Sequence, residues 1–145
     1  NVPGRTGVNI EPKTLARLAT LPNVIGVKEA SGNIGQMVDL CGLVPRDFLV
    51  LSGDDALTLP LMAVGGCGVI SVASNEIPAE MVQMVEAAAR GDFAAARAVP
   101  NHEAALPALD ALMRRVAAGL PRIPGRTGIL VDVSGGQAYF RVVGQ

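Results

Sequence analysis

Three short apolar stretches decide the fold of this chain: VIGVK at residues 24–28, FLVLS at residues 48–52 and GVISV at residues 68–72. Each stretch is rich in aliphatic and β-branched side chains, and the first is bounded by Pro22 and Gly32. Strands that are buried on both faces, as in parallel sheets, have this composition. We therefore predict three buried strands.

Helical spacing of apolar residues follows each predicted strand. The predicted helices cover residues 33–43, 54–63 and 78–90, with a short alanine-rich helix at residues 92–99. This alternation predicts right-handed βαβ units and a parallel sheet, either in an open doubly wound sheet or in a (β/α)₈ barrel. No GxGxxG motif follows a strand, and a barrel needs eight strands and about 250 residues. The pattern alone predicts part of an α/β domain.

The segment before the first strand contains three prolines that divide it. Pro3 and Gly4 break regular structure, so residues 1–7 are predicted to form a loop. Pro12 is placed to begin a helix, since proline suits the first helical position. We expect this helix to end before Pro22.

The composition changes after residue 99, and we predict a boundary there. Residues 1–99 form the α/β part, and residues 100–145 form a divergent tail. Within the tail a helix is predicted at residues 104–118. Two apolar runs, residues 129–133 and 138–143, flank Ser-Gly-Gly-Gln and predict a β-hairpin.

Composition limits the classes of protein to which this chain belongs. Of its 145 residues 50% are hydrophobic, and the net charge is -1. That balance argues against disorder and against a broadly basic surface for nucleic acid. No apolar run approaches the roughly 20 residues that span a bilayer. Cys41 and Cys67 lack CxxC spacing, so we interpret them as small buried residues. Without a visible signal peptide we expect a cytoplasmic location, although the first residue is Asn rather than Met.

Lys28 is the strongest candidate for chemistry because it ends an apolar strand. The carboxyl ends of parallel strands carry the active sites of α/β proteins. Partial burial of an amine favours its neutral form, which attacks a ketone to form a Schiff base. The iminium then withdraws electrons from the adjacent carbon. The alternative interpretation is a lysine whose stem packs on the protein while its ammonium reaches solvent.

Polar residues at the other strand ends suggest one shared pocket. Ser52–Asp55 follow the second strand, and Ser71–Asn75 lie at the third. Helix capping is an equal alternative for Asp54 and Asp55. Arg5 carries a planar guanidinium that suits a carboxylate, with a solvated loop arginine as the alternative. No metal-ligand spacing is present, and the single histidine lies in the tail.

Four motifs together resemble the 4-hydroxy-tetrahydrodipicolinate synthase (dihydrodipicolinate synthase) family. They are NVPGRTG at residues 1–7, IGVKEASGN at 25–33, LSGDD at 51–55 and GGCGVISVASN at 65–75. The resemblance covers roughly residues 1–99. It implies a partial (β/α)₈ TIM barrel made of the last three strands and their helices. It also implies condensation of pyruvate with aspartate semialdehyde, on the route to lysine and diaminopimelate.

The resemblance also implies roles for four residues. Lys28 matches the lysine that forms the Schiff base with pyruvate, and Arg5 matches the arginine that binds the semialdehyde carboxylate. Gly53 lines the pocket, and the backbone of Ile70 contacts bound pyruvate. No metal and no cofactor beyond the covalent imine are implied. The family is homotetrameric, so a homo-oligomer is expected.

Several family features have no counterpart in this sequence. The catalytic tyrosine precedes the asparagine of NVPxRTG, and the paired threonines lie on an earlier strand, so neither falls within residues 1–145. We therefore expect this chain alone to be nearly inactive. Related pyruvate-dependent lyases, for N-acetylneuraminate or 2-keto-3-deoxy sugar acids, share the lysine and remain an alternative. A non-catalytic α/β module that pairs with another chain through its sheet edges is the other.

Overall fold

The computed structural model describes residues 1–99 and two strands in the tail, at residues 127–132 and 139–144. Three strands and six α-helices make up residues 1–99, together with 3-10 turns at Asp55–Leu57 and Ala73–Asn75. The strands are β1 (Gly26–Glu29), β2 (Leu49–Ser52) and β3 (Gly68–Val69). The helices are α1 (Pro3–Thr6), α2 (Pro12–Leu18), α3 (Ile34–Leu43), α4 (Thr58–Ala63), α5 (Pro78–Ala89) and α6 (Phe93–Ala98).

The three strands form one parallel sheet in the order β1-β2-β3. Lys28 lies opposite Leu51, and Ser52 lies opposite Val69, so the carboxyl ends of the strands meet at one edge. Asn1 adds to this ladder on the other side of β1. Its nitrogen donates to the Lys28 carbonyl at 2.8 Å, and its carbonyl accepts from the Ala30 N–H at 2.9 Å. The predicted parallel α/β arrangement is confirmed.

The third strand is shorter than predicted. We expected residues 68–72, but β3 ends at Val69. The Ile70 N–H still donates to the Ser52 carbonyl at 2.8 Å. Beyond it, one oxygen of the Asp55 carboxylate accepts the N–H groups of Val72 and Ala73, both at 3.1 Å. These two bonds draw the backbone away from the ladder and into a 3-10 turn.

The prediction of a loop over residues 1–7 is wrong, because this segment contains one helical turn. Pro3 takes the first position of α1, where its missing N–H costs nothing. Gly7 ends the turn with a φ of 69°, and its N–H donates to the Pro3 carbonyl at 2.9 Å. A glycine is needed there because the left-handed region is unfavourable for other residues.

Side-chain caps set several helix boundaries. The Asn33 side chain accepts from the Gln36 N–H at the start of α3, and Asp92 accepts from the Ala95 N–H at the start of α6. Asp54 accepts from the Ala56 N–H at 2.9 Å. The predicted helix at 54–63 therefore divides into a 3-10 turn, capped by Asp54, and α4. Of the two interpretations of Asp54, capping is observed.

The prediction that the strands are buried on both faces is wrong within residues 1–99. Burial alternates along β2, where Val50 and Ser52 are buried and Leu49 is 44% exposed. One hydrophobic cluster joins β2 to the surrounding helices and includes Leu15, Met37, Leu40, Phe48, Val50 and Leu61. A second cluster lies among α4, α5 and α6. The helices thus cover one face of the sheet more fully than the other.

Leu40 provides a direct test of this core, because its side chain is fully buried on α3. Leu40→Ala is expected to lower the free energy of unfolding by about 2–5 kcal/mol, through lost burial and the cavity left behind. Chemical denaturation measures the change. Val38→Ala on the same helix is the matched control, since Val38 is 46% exposed. An equal loss in both variants would contradict the described packing.

The two cysteines differ from the buried pair that we predicted. Cys41 is half-buried on α3, whereas Cys67 is exposed in the turn before β3. Burial raises the pKa of the Cys41 thiol, and the charge of the Cys67 thiolate raises it further. No helix in the described part of the chain is long and apolar enough to cross a membrane.

The chain divides into two compact units, Asn1–Pro100 and Asn101–Gln145. In the second unit, β4 (Thr127–Asp132) pairs antiparallel with β5 (Tyr139–Gly144), and Ile129 lies opposite Val142. This confirms the predicted pairing of the two apolar runs. The predicted helix at 104–118 lies outside the described residues.

Candidate active site

Lys28 is the second-to-last residue of β1 and is half-buried. Its side chain passes over the backbone of Gly53, which directly follows β2. A Cβ added at Gly53 would lie only 2.7 Å from Lys28 Cε and 2.7 Å from Ala30 Cβ. Only a glycine leaves room for the lysine stem at this point. The structure therefore brings the predicted residues Lys28 and Gly53 into contact.

Ile70 lies at the end of the next strand. Its N–H bonds the Ser52 carbonyl, one residue before Gly53, and its side chain is 45% exposed. Ser52 itself is fully buried, and its hydroxyl donates to the Asp54 carbonyl at 2.6 Å. Lys28, Gly53 and Ile70 thus lie at the carboxyl ends of three neighbouring strands.

Arg5 lies in the exposed last turn of α1. The backbone connects Arg5 to Asn1, and the Asn1 nitrogen donates to the Lys28 carbonyl. The loop that follows α1 is held by the Thr6 hydroxyl, which donates to the Val8 carbonyl at 2.9 Å. Arg5 is thus displayed at the surface of a turn that is fastened to β1.

Asp55 was predicted either to cap a helix or to contact substrate. The structure shows that one of its oxygens holds the Val72 and Ala73 N–H groups. The other oxygen, Oδ1, is buried and has no hydrogen-bond partner within the described residues. Asp55 therefore fixes the segment that follows Ile70.

Glu29 is a feature of this region that sequence reasoning missed. Its side chain is fully buried, although it follows Lys28 directly. Its carboxylate accepts from Asn1 Nδ2 at 2.9 Å and from the Ser31 N–H at 2.7 Å. Glutamate is rarely fully buried unless it is paired. Its place on the strand could have indicated this burial. Neighbouring residues of a strand point to opposite faces, so Glu29 points away from the face that carries Lys28.

Within the described residues, no cluster of His, Cys, Asp or Glu is arranged to hold a metal ion. One groove there, of about 430 Å³, runs between β3 and α5 and is lined mainly by apolar residues such as Leu51, Val69 and Met81. Lys28 is not part of its lining. The candidate site is therefore an open edge of the sheet, with one amine and exposed backbone.

Comparison with known proteins places the chain in a family. The model of the dihydrodipicolinate synthetase family matches residues 1–120. The chain belongs to this family. The match extends beyond residue 99, to which the resemblance of the motifs was expected to reach.

The 4-hydroxy-tetrahydrodipicolinate synthase of Koribacter versatilis is 61% identical over 106 residues, which are 73% of this chain and 35% of that protein. The enzyme of the same name from Listeria welshimeri is 53% identical over 112 residues, which are 77% of this chain and 38% of that protein. The chain therefore spans about a third of the length of the curated dihydrodipicolinate synthetase relatives that it matches. These relatives carry the name of an enzyme, in agreement with the resemblance of the motifs.

A solved structure supports the same family and fold. Dihydrodipicolinate synthase from Thermotoga maritima superposes with a TM-score of 0.66 at 41% identity, over 86% of this chain and 41% of that one. YagE of E. coli K12, a prophage protein of the dihydrodipicolinic acid synthase family described in complex with pyruvate, gives a TM-score of 0.63 at 30% identity. That match covers 67% of this chain and 34% of that one.

Proposed function

We propose that Lys28 is the nucleophile of a 4-hydroxy-tetrahydrodipicolinate synthase and forms a Schiff base with pyruvate. The observation that carries this proposal is the course of the Lys28 side chain over Gly53 at the carboxyl edge of the sheet. The family match and the pyruvate complex of the related YagE support it.

The chemistry follows from the properties of an amine. The Lys28 amine attacks the ketone carbon of pyruvate, and water leaves to give an iminium. Loss of a proton from the methyl carbon gives an enamine, with the electron pair drawn toward the positive nitrogen. The enamine carbon then bonds to the aldehyde carbon of aspartate semialdehyde, whose C=O π bond breaks as its oxygen takes up a proton. This step restores the iminium, and addition of a second nucleophile to it releases the product and the free Lys28 amine. In this scheme the imine nitrogen accepts the electrons, so no metal or separate cofactor is required.

The remaining predicted residues have binding roles in this proposal. Arg5 holds the carboxylate of the semialdehyde through its guanidinium fork. Gly53 and the backbone of Ile70 border the pyruvate. The sheet of residues 1–99 would form part of a (β/α)₈ barrel, in a cytoplasmic homo-oligomer that acts on small carboxylates.

Trapping of the imine tests the proposal, because the nucleophile lies within the described residues. The chain is incubated with pyruvate and sodium borohydride, and the reduced adduct is located by peptide mass spectrometry. The chain contains two lysines, Lys13 and Lys28. Lys13 is exposed on α2 and serves as an internal control. We expect the adduct on Lys28 only. No adduct, or equal labelling of both lysines, would contradict the proposal.

A further inference from the structure

The buried Glu29 carboxylate belongs to a polar network that the proposed chemistry does not use. Its two hydrogen-bond donors within residues 1–99, Asn1 Nδ2 and the Ser31 N–H, are both neutral groups. A fully buried carboxylate loses its hydration, so each of these hydrogen bonds matters more than it would at the surface. Glu29 also follows Lys28 directly and points to the opposite face of the sheet. The carboxylate therefore acts on the site indirectly, through its partners.

Asn1 is the partner that connects Glu29 to the loop of Arg5. Its Nδ2 donates to both Glu29 Oε2 and Asn9 Oδ1, each at 2.9 Å. Its Oδ1 accepts from the Ile10 N–H at 2.9 Å. One asparagine side chain thus joins the two ends of the segment 2–9, within which Arg5 lies. The segment forms a closed loop whose two ends meet at the Asn1 side chain.

Asn9 fastens the far end of this loop to α3. Its Nδ2 donates to Gln36 Oε1 at 2.8 Å, and its Oδ1 accepts from Gln36 Nε2 at 3.2 Å. These contacts are exposed, whereas the bond to Glu29 is partly buried. Exposed hydrogen bonds compete with water and contribute less to rigidity. The backbone of Asn1 is held by Lys28 and Ala30, and the Glu29–Asn1 bond is the partly buried contact that fixes the Asn1 side chain to β1.

We propose that Glu29 is a positioning residue, which orients the Asn1 side chain and thereby fixes the Arg5 loop relative to Lys28. This inference rests on the proposed function, in which Arg5 receives the carboxylate of the second substrate. Glu29 is therefore expected to affect the binding of the second substrate through Arg5, and to leave imine formation at Lys28 unchanged. The strand itself places Lys28, since its backbone is held by β2 and by Asn1.

The variant Glu29→Gln tests this assignment with little change in volume. A glutamine amide presents two acceptor sites on one oxygen only, so its NH₂ group must face one of the two donors. We expect amide hydrogen exchange of Thr6 and Gly7 to become about tenfold faster, the effect of losing one buried hydrogen bond to a charged group. Exchange in α5 should not change. Glu76→Gln is the matched control, because Glu76 is an exposed glutamate in the same unit.

Two chemical readouts separate positioning from general damage. Borohydride trapping of the pyruvate imine should stay within about twofold of the unsubstituted chain, since Lys28 keeps its backbone partners. Arg5 is then modified with phenylglyoxal in the presence of pyruvate, and aspartate semialdehyde is added as the protecting ligand. The aspartate semialdehyde concentration that halves the modification of Arg5 should be about tenfold higher in Glu29→Gln.

A reciprocal exchange provides the rescue. Asn1→Asp alone places two carboxylates against each other and should loosen the loop more than Glu29→Gln does. In the double variant Asn1→Asp/Glu29→Gln, the glutamine amide donates to the introduced aspartate, so the direction of the bond is reversed. We expect the double variant to recover most of the protection of Thr6 and Gly7 against exchange.

The outcomes distinguish the inference from the function on which it rests. If the unsubstituted chain gives no imine with pyruvate, the proposed function fails. If the imine forms but Glu29→Gln leaves loop exchange and Arg5 protection unchanged, the positioning role is overturned. It is equally overturned if imine yield falls together with exchange protection throughout residues 1–99, or if the double variant is worse than both single variants.

Discussion

Lys28→Ala is expected to abolish the trapped pyruvate adduct. The chain then retains only one lysine, Lys13, which is exposed on α2 and remote in sequence from the strand ends. Lys13 lacks the contact with Gly53 that positions the Lys28 amine at the strand ends, and positioning of the reacting group speeds the reaction. Intact-mass measurement after borohydride treatment should therefore show the unmodified chain alone.

A second replacement separates charge from nucleophilicity. Lys28→Arg keeps a cation at the same place, but the guanidinium stays protonated and does not form an imine. We expect no adduct in this variant either, while Lys13→Ala should trap pyruvate like the unsubstituted chain. An adduct in Lys28→Ala, at a yield close to that of the unsubstituted chain, would show that another amine is the nucleophile.

Gly53→Ala is expected to slow imine formation by roughly 10–100-fold without any change to the lysine, because small displacements of a reacting group carry penalties of that order. The new Cβ would lie 2.7 Å from both Lys28 Cε and Ala30 Cβ, well inside normal contact distance. The Ala30 Cβ moves only with its backbone, whereas Lys28 has a flexible stem. The lysine stem must therefore move, and the backbone at Gly53 or Ala30 must also shift, so the amine leaves its position over the strand end.

The rate of adduct formation at several pyruvate concentrations measures this effect. Gly42→Ala is the matched control, since a Cβ at Gly42 meets no atom within 4 Å and Gly42 lies in α3. The control should trap pyruvate at the unsubstituted rate. An unchanged rate in Gly53→Ala, in a chain that remains folded by circular dichroism, would argue against the described course of the Lys28 side chain.

The parallel sheet could be predicted because it depends on local composition. Few folds other than a parallel sheet covered by helices accommodate apolar strands that alternate with amphipathic segments. The helix caps at Asn33 and Asp92 also depend only on residues nearby in the sequence. The end of β3 could not be predicted in this way. It depends on Asp55, whose carboxylate reaches a backbone 17 residues away in the chain.

The candidate site shows the same division between local and distant interactions. Lys28 was predicted from its place at a strand end, and its contact with Gly53 became visible only once β1 and β2 were paired. Glu29 was missed because its importance lies in Asn1, which is 28 residues distant. Charged residues are usually assigned to the surface, and only a partner from another segment reverses that expectation for a buried carboxylate.

Lys28 and Glu29 occupy adjacent places on β1 and serve opposite sides of the sheet. Insertion or deletion of a single codon within Gly26–Lys28 would exchange these sides. The Lys28 side chain would then point toward the helices, and the Glu29 side chain would take the position of the nucleophile. A variant of this kind would lose its polar network and its amine together. Length changes in descendants of this gene should therefore be tolerated in the turns and eliminated in this strand.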